Sequence, residues 1–278
     1  MLKKIDRAQL FLEKHLELFQ CPVCREPFTA VANHHLTCHK GHRFDLSKKG
    51  TLHLMLKSPE SDYTRSMLEA RQRIAQAGFW HPLLDNLLTR IKDQTGALLD
   101  VGGGEGSHSA YLKQQGLSGP LISFDISKEG VNLAAASHED VFFLVADLAQ
   151  SPFASDQYTT LLNILSPSNY SEFKRLLKPG GQVIKVVPNA GYLKELRAVK
   201  GDKAQTYSNK QVVDKFSQHF DQVTSETVYY SFRLTPDQID DFIHMTPLGW
   251  HVKKKDEKIH TLLEEITVDL TILTGEIG

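Results

Sequence analysis

Residues 97–106 read Ala97-Leu98-Leu99-Asp100-Val101-Gly102-Gly103-Gly104-Glu105-Gly106. An apolar run that closes on Asp100 and breaks into Gly102, Gly104 and Gly106 predicts a buried strand turning sharply into a helix, here about Ser107 to Gln115. Glycine at alternate positions leaves backbone bare enough to pass closely beneath a ligand. The spacing is G-x-G-x-G, not the G-x-G-x-x-G of dinucleotide enzymes, so the surrounding sequence has to decide its meaning. Pro120 to Phe124 is a second apolar run, closing on Asp125, and Val141 to Ala146 is a third, closing on Asp147 and Leu148. Three strands that each end in a carboxylate, with helices between them, describe a doubly wound α/β sheet whose strand ends converge on one crevice.

The three acids narrow the ligand. Asp125 is placed to accept hydrogen bonds from both hydroxyls of a ribose, which a dehydrogenase also requires. A third acid after the third strand is outside that pattern. A methyltransferase accounts for all of them. The loop of Asp100, Gly102, Gly104 and Gly106 then underlies the methionine moiety of S-adenosylmethionine, Asp125 holds the ribose, and Asp147 with Leu148 meets the adenine.

Downstream, Tyr158 to Leu165 reads as a strand and Tyr170 to Leu177 as a short helix; Lys178-Pro-Gly-Gly181 reads as a turn feeding a strand over Gln182 to Val187. Thr235-Pro-Asp-Gln238 is a capping box with proline at the first helical position, opening a helix to about Met245. Ile266, Val268, Leu270 and Ile272 alternate with Thr267, Asp269 and Thr271, predicting a half-exposed antiparallel strand. The expected fold is α/β, a Rossmann-like sheet of seven strands.

Upstream the composition changes. All three cysteines of the 278 residues, Cys21, Cys24 and Cys38, precede residue 39. Residues 1–80 carry 13 Lys and Arg against 8 Asp and Glu, so the formal net charge of −1 hides a basic first part and an acidic remainder. Cys21-x2-Cys24 and Cys38-x3-His42 form two knuckles, turned at Pro22 and Gly41, that aim three thiolates and one imidazole at a single ion. Three sulfurs and a nitrogen suit zinc and exclude calcium or magnesium, and a fully ligated ion is structural. His34, His35 and His39 compete as ligands, His39 most closely. Arg43, Lys48 and Lys49 interleaved with Phe44 offer a surface for phosphates and unstacked bases, or a solvated face beside a strand. With no apolar run long enough to span a membrane and clustered reduced thiols, a cytoplasmic protein is expected.

The chain order of these features resembles the bacterial 23S ribosomal RNA (guanine-N1)-methyltransferases. The resemblance rests on the two knuckles with His42-Arg-Phe-Asp-Leu46 and Lys49-Gly50, on Met67-Leu-Glu-Ala-Arg71 and Ala77-Gly-Phe-Trp80, and on the glycine loop. It is completed by Lys178-Pro-Gly-Gly181 and Met245-Thr-Pro-Leu-Gly-Trp250. It implies methyl transfer from S-adenosylmethionine to N1 of a guanine in a hairpin loop of 23S ribosomal RNA, cofactor contacts at Trp80, Gly104, Glu105 and Tyr192, and one structural zinc ion. One branch of such proteins protects ribosomes against tylosin-type macrolides. Gly103 departs from relatives, which often carry cysteine there, and cofactor binding is expected to survive the difference. The expected organisation is a zinc-finger RNA-recognition domain over 1–57, a helical linker over 58–80 and a methyltransferase domain over 81–278, with a homodimer as the expected assembly. The general base remains open among Asn163, His108, Glu105 and Asp147, and Trp80, Phe153, Tyr170 and Tyr192 are candidates to stack on a flipped guanine. A small-molecule methyltransferase with a zinc appendage and a non-catalytic RNA-binding protein are the competing readings.

Overall fold

The computed structural model describes residues 2–57, 63–200, 208–249 and 261–278. Residues 58–62 of the expected linker, and Trp250 of the last motif, lie outside the described residues. The chain opens with helix α1 (Lys4–Lys14) and a three-stranded antiparallel ribbon, β1 (Phe28–Ala32), β2 (His35–Cys38) and β3 (Arg43–Asp45). Strand β4 (Leu52–His53) and helix α2 (Arg65–Gln76) follow, the latter capped by the Thr64 hydroxyl accepting from the Met67 N–H. Helix α3 (His81–Leu88) leads into the strand of the glycine loop, β5 (Leu98–Val101).

From there strands and helices alternate: α4 (Ser107–Gln114), β6 (Leu121–Asp125), α5 (Lys128–Ser137), β7 (Phe142–Val145), β8 (Tyr158–Ile164), α6 (Tyr170–Leu176) and β9 (Leu177–Pro188). The chain closes with α7 (Lys194–Lys200), α8 (Lys210–His219), the long strand β10 (Asp221–Arg233), α9 (Pro236–His244) and β11 (Glu265–Glu276). The capping box at Thr235 and Gln238 opens α9 as the sequence predicts.

The main sheet has the order β10-β11-β9-β8-β5-β6-β7-β4. Seven of these strands are the expected Rossmann-like set. The eighth, β4, comes from the amino-terminal part and pairs parallel with β7. β11 inserts antiparallel between β9 and β10. It is not half-exposed: Thr267 and Thr271 are buried along with the aliphatic positions. The reason is polar pairing on the second face, where Glu195 accepts from Thr267, and Asn189 accepts from the Thr271 hydroxyl and donates to Asp269. The Lys178-Pro-Gly-Gly181 turn is likewise absorbed into the start of β9.

Apolar side chains fill both faces of the sheet. One face packs α2, α3 and α9 over Trp80, Leu162, Ile184 and Phe242. The other carries Leu161, Val183 and Phe216 and runs without a break into Cys21, Phe28 and Leu36 of the ribbon. A ribbon of some 30 residues buries too little on its own, and here it shares the core of the main sheet.

Candidate functional site

The metal-ligand set comes first in the chain. Cys21, Cys24, Cys38 and His42 bring one donor atom each to within 4.8 Å of one another. Cys21 Sγ lies 3.6 Å and Cys38 Sγ 3.3 Å from His42 Nδ1, and Cys24 and Cys38 sulfurs are 3.6 Å apart. Bonds of ~2.3 Å to sulfur and ~2.0 Å to nitrogen give tetrahedral edges of about 3.5–3.8 Å, so this donor set fits a zinc ion. The second knuckle is shaped by Gly41 at φ +80° and by the His42 N–H, which points at Cys38 Sγ at 3.3 Å. His42, not His39, completes the set. His34 is engaged elsewhere, with Nε2 2.8 Å from Asp6. Phe44, partly buried, packs edge-on against Phe28 with 5.8 Å between centroids.

The second site lies at the carboxyl ends of the parallel strands, where an open α/β sheet exposes its crevice. Strand order reverses between β5 and β8, each of which runs on to a neighbour on the opposite side. Gly102, Gly104 and Gly106 have φ of +76°, +59° and +82°, values that side chains rarely adopt. A Cβ at Gly104 would meet nothing within 4 Å, so the loop's crest faces open space, whereas one at Gly106 would press on Phe143 at 2.7 Å. Gly104 therefore clears room for a ligand and Gly106 lets α4 sit down on the sheet.

Asp125 binds the loop from the next strand. Its Oδ2 accepts from the Gly104 N–H at 2.9 Å and its Oδ1 from the Ser127 N–H at 2.8 Å. Burial pushes its carboxyl up, opposed by those N–H groups. Ile126 beside it is a large apolar residue left exposed, an apolar surface that sequence reading did not single out. Asp147 caps the short turn after β7 by accepting from the Ala149 N–H at 2.9 Å. Asp100 faces inward: it is buried, accepts from Ser109 at 2.6 Å and Ser123 at 3.0 Å, and burial raises its carboxyl above the ordinary range.

Beside the loop is a buried polar cluster. Glu105 is 1% exposed and lies 3.6 Å from Arg71 of α2; burial raises its carboxyl while Arg71 opposes the shift. The Arg71 guanidinium lies 4.7 Å over the Trp80 ring, and Trp80 meets His108 edge-on at 5.0 Å. Tyr192 packs against the same apolar cluster. Burial, with Arg71 adding to it, pushes His108 down to about 3, so its imidazole is neutral at physiological pH. The buried Gln72 Nε2 and His108 Nε2 have no hydrogen-bond partner among the described residues. Buried polar atoms left open in this way cost free energy, and they fit the polar methionine end of S-adenosylmethionine. Arg71 closes the Met67-Leu-Glu-Ala-Arg71 motif without a role assigned to it, and Gln72 was not singled out, since residues on an upstream helix carry no local mark of the loop they meet.

Across the reversal point, the end of β8 carries a third group. Asn163 Oδ1 accepts from Lys185 Nζ at 2.5 Å and from Ser168 at 3.0 Å, while its Nδ2 donates to Ser166 Oγ and to the Pro167 carbonyl. Ser166 Oγ donates to the Val101 carbonyl at 2.6 Å, and a Cβ at Gly102 would touch Ser166 at 2.8 Å. Lys185 is the charge inside the run Val183-Ile-Lys-Val-Val187, a signal available in the sequence but not read there. Three of the expected stacking aromatics are not available: Trp80 is buried against Phe79 and His108, Phe153 is fully buried against Phe19, Phe124 and Tyr158, and Tyr170 is buried among Phe173, Phe216 and Phe220.

Comparison with known proteins bears on both sites. Residues 19–56 match a zinc-ribbon family model described as "RlmA, N-terminal", and residues 98–181 match a "Methyltransferase domain" model. A Bacillus subtilis (strain 168) protein provisionally named 23S rRNA (guanine-N(1)-)-methyltransferase YxjB is 36% identical over 93% of this chain and 96% of its own. The 23S rRNA (guanine(748)-N(1))-methyltransferase of Streptomyces fradiae is 28% identical over 91% of this chain and 94% of its own. Among solved structures, Haemonchus contortus phosphoethanolamine N-methyltransferase 2 in complex with S-adenosyl-L-methionine superposes with a TM-score of 0.51 at 14% identity. It covers 79% of this chain and 59% of that one, a likeness of fold.

Proposed function

This chain belongs to the family of 23S rRNA (guanine-N1)-methyltransferases, and we propose that it acts on a hairpin loop of that RNA with S-adenosylmethionine seated over Gly104. Bound there, the cofactor would supply a methyl carbon activated by its sulfonium, with S-adenosylhomocysteine leaving and the N1 proton of guanine released, and the chain's task is chiefly to align that carbon with guanine N1. Alignment of this kind contributes on the order of 7–11 kcal/mol to a two-substrate reaction.

The residues divide that work. Asp125, anchored to the Gly104 and Ser127 N–H groups, holds its carboxyl beside the loop as an acceptor for the ribose. Ile126 offers an apolar surface for the adenine, and Asp147 with Leu148 closes the far edge. Arg71, Trp80, Glu105 and Tyr192, with the open polar atoms of Gln72 and His108, line the seat of the methionine end. Guanine enters from the β8 side, where the turn 165–168 borders Gly102. Held by a zinc ion, the amino-terminal part would present Arg43, Lys48 and Lys49 to phosphate, so RNA affinity depends on metal and falls with salt.

The carrying observation is that one chain holds a three-cysteine, one-histidine ribbon, joined to the main sheet by β4, together with a glycine-loop crevice where Arg71 of α2 reaches Glu105. A cytoplasmic homodimer is the assembly this reading expects, testable by sedimentation. The activity is tested by incubating the protein with 23S rRNA and radiolabelled cofactor, then reading reverse-transcription stops. Methylation at N1 blocks the Watson–Crick edge, so a stop opposite one loop guanine is expected. Label confined to an exocyclic nitrogen or to ribose, which gives no such stop, overturns the proposal.

A further inference from the structure

Lys185 is 4% exposed in the middle of β9, and no ion pair is recorded for it among the described residues. The groups that receive its ammonium are uncharged: Asn163 Oδ1 at 2.5 Å and the Ser166 carbonyl at 3.3 Å. Its partners in register are also uncharged, Asn163 on β8 and Leu273 on β11. A buried cation without a counter-charge costs several kcal/mol, and an apolar side chain of like shape is usually neutral or stabilising in its place. Stability therefore does not account for lysine here. Burial accordingly pushes its ammonium down to about 8.

What the lysine does is visible in the direction of the hydrogen bonds. An ammonium only donates, so it fixes which end of the Asn163 amide faces it. The amide's nitrogen is thereby turned to the loop, where it donates to Ser166 Oγ and the Pro167 carbonyl. Ser166 in turn donates to Val101 at the end of β5, the strand that carries the glycine loop. The turn so pinned contains Leu165 at φ +54°, a strained value for a leucine. Strain of this kind persists only where surrounding contacts impose it.

We propose that Lys185 is a positioning residue for methyl transfer, acting through Asn163 to hold the turn 165–168 as the wall of the guanine side of the crevice. This rests on the methyltransferase reading above. The wall stands at the strand-order reversal between β5 and β8, across Gly102 from the proposed cofactor seat. Misplacing a reacting group by about 1 Å can cost ~100-fold in rate, which is the scale of effect a loosened wall would have.

The test uses the full zinc-loaded chain and 23S rRNA. Lys185→Met removes the ammonium while keeping the length of the side chain, and is expected to leave thermal stability unchanged or raised while lowering kcat at least tenfold. RNA KM and calorimetric cofactor affinity should stay within about threefold. Asn163→Asp pairs the lysine but loses both donations to the turn, and is expected to lower kcat similarly without unfolding the protein. The double variant should be little worse than either single one, because all three break one unit. Wild-type kcat in both single variants overturns the proposal, as does a loss that only tracks the folded fraction. Failure of the wild-type protein to methylate guanine N1 would instead defeat the underlying functional reading.

Discussion

Leu52 of β4 lies in parallel register opposite Leu144 of β7, so the segment that leaves the zinc ribbon ends as a strand of the catalytic sheet. The Leu54 N–H extends the pairing by donating to Val145 at 2.9 Å. Around that seam, Phe11 stacks on Phe142 with 4.8 Å between centroids, and the buried Tyr158 hydroxyl donates to the Leu18 carbonyl at 2.8 Å. The ribbon is thus continuous with the core that positions the cofactor crevice.

Removing the metal should therefore be felt well beyond the ribbon. Chelation, or Cys21→Ser with Cys24→Ser, is expected to lower the melting temperature of the whole chain by about 10 °C in one transition, given that ~3 kcal/mol shifts a domain of this size by that much. Calorimetry with and without chelator checks this; an unchanged second transition at the wild-type temperature would show that the ribbon is energetically separate. A truncation beginning near residue 60 should lose solubility for the same reason, since it uncovers Phe142 and Phe153.

Asp125→Ala removes the acceptor of the Gly104 and Ser127 N–H groups together with the proposed ribose contact. Cofactor affinity is expected to fall ~10–100-fold, the effect of losing one or two charge-assisted hydrogen bonds. Titration calorimetry with S-adenosylmethionine measures it, and affinity within threefold of wild type would refute the ribose assignment.

Gly103 is sterically committed to its neighbour in a way that its sequence context conceals. A Cβ at this position would run into Ser123 Oγ and lie 2.6 Å from Asp100 Oδ2. Gly103→Cys alone should destabilise the protein by about 1–3 kcal/mol through overpacking. Ser123→Ala should recover part of that loss when combined with it. Denaturant unfolding of the two single variants and the double variant reads the coupling; additive losses would be the wrong result.

Acidification should act through His108. Its folded-state value of about 3 lies below the ordinary value of 6.5, so between those limits the unfolded chain binds the extra proton. The stabilisation this gives is complete above pH 6.5 and is lost as pH falls toward 3. Buried Asp100 and Glu105, both shifted upward, act with the opposite sign. The informative quantity is the difference from His108→Gln, which should lose less stability than wild type between pH 6.5 and 4. Parallel pH profiles would contradict the assignment.

Much of the chemistry was legible along the chain because it is local. Two knuckles, a glycine turn and a capping box are each encoded within a few residues, and in each the backbone geometry follows from the residues that build it. The alternation of apolar runs with acids at their ends likewise foretold a doubly wound sheet. Periodicity misled at β11, where threonines and an aspartate implied a wet face that Asn189 and Glu195 in fact cover. It also left Phe153 and Tyr170 as possible base-stacking rings that packing has sealed into the core.

By itself the sequence determined the fold class, the metal-ligand set and the three strand-end acids, because short-range spacing dictates turns, knuckles and strand ends. Only the tertiary structure decided that Arg71 reaches Glu105 over Trp80 and that Lys185 is buried against Asn163. It also decided that the ribbon joins the catalytic sheet through Leu52. These are contacts between residues that lie tens of positions apart or on different elements, fixed by strand order, register and the shared core, and no local pattern along the chain carries that information.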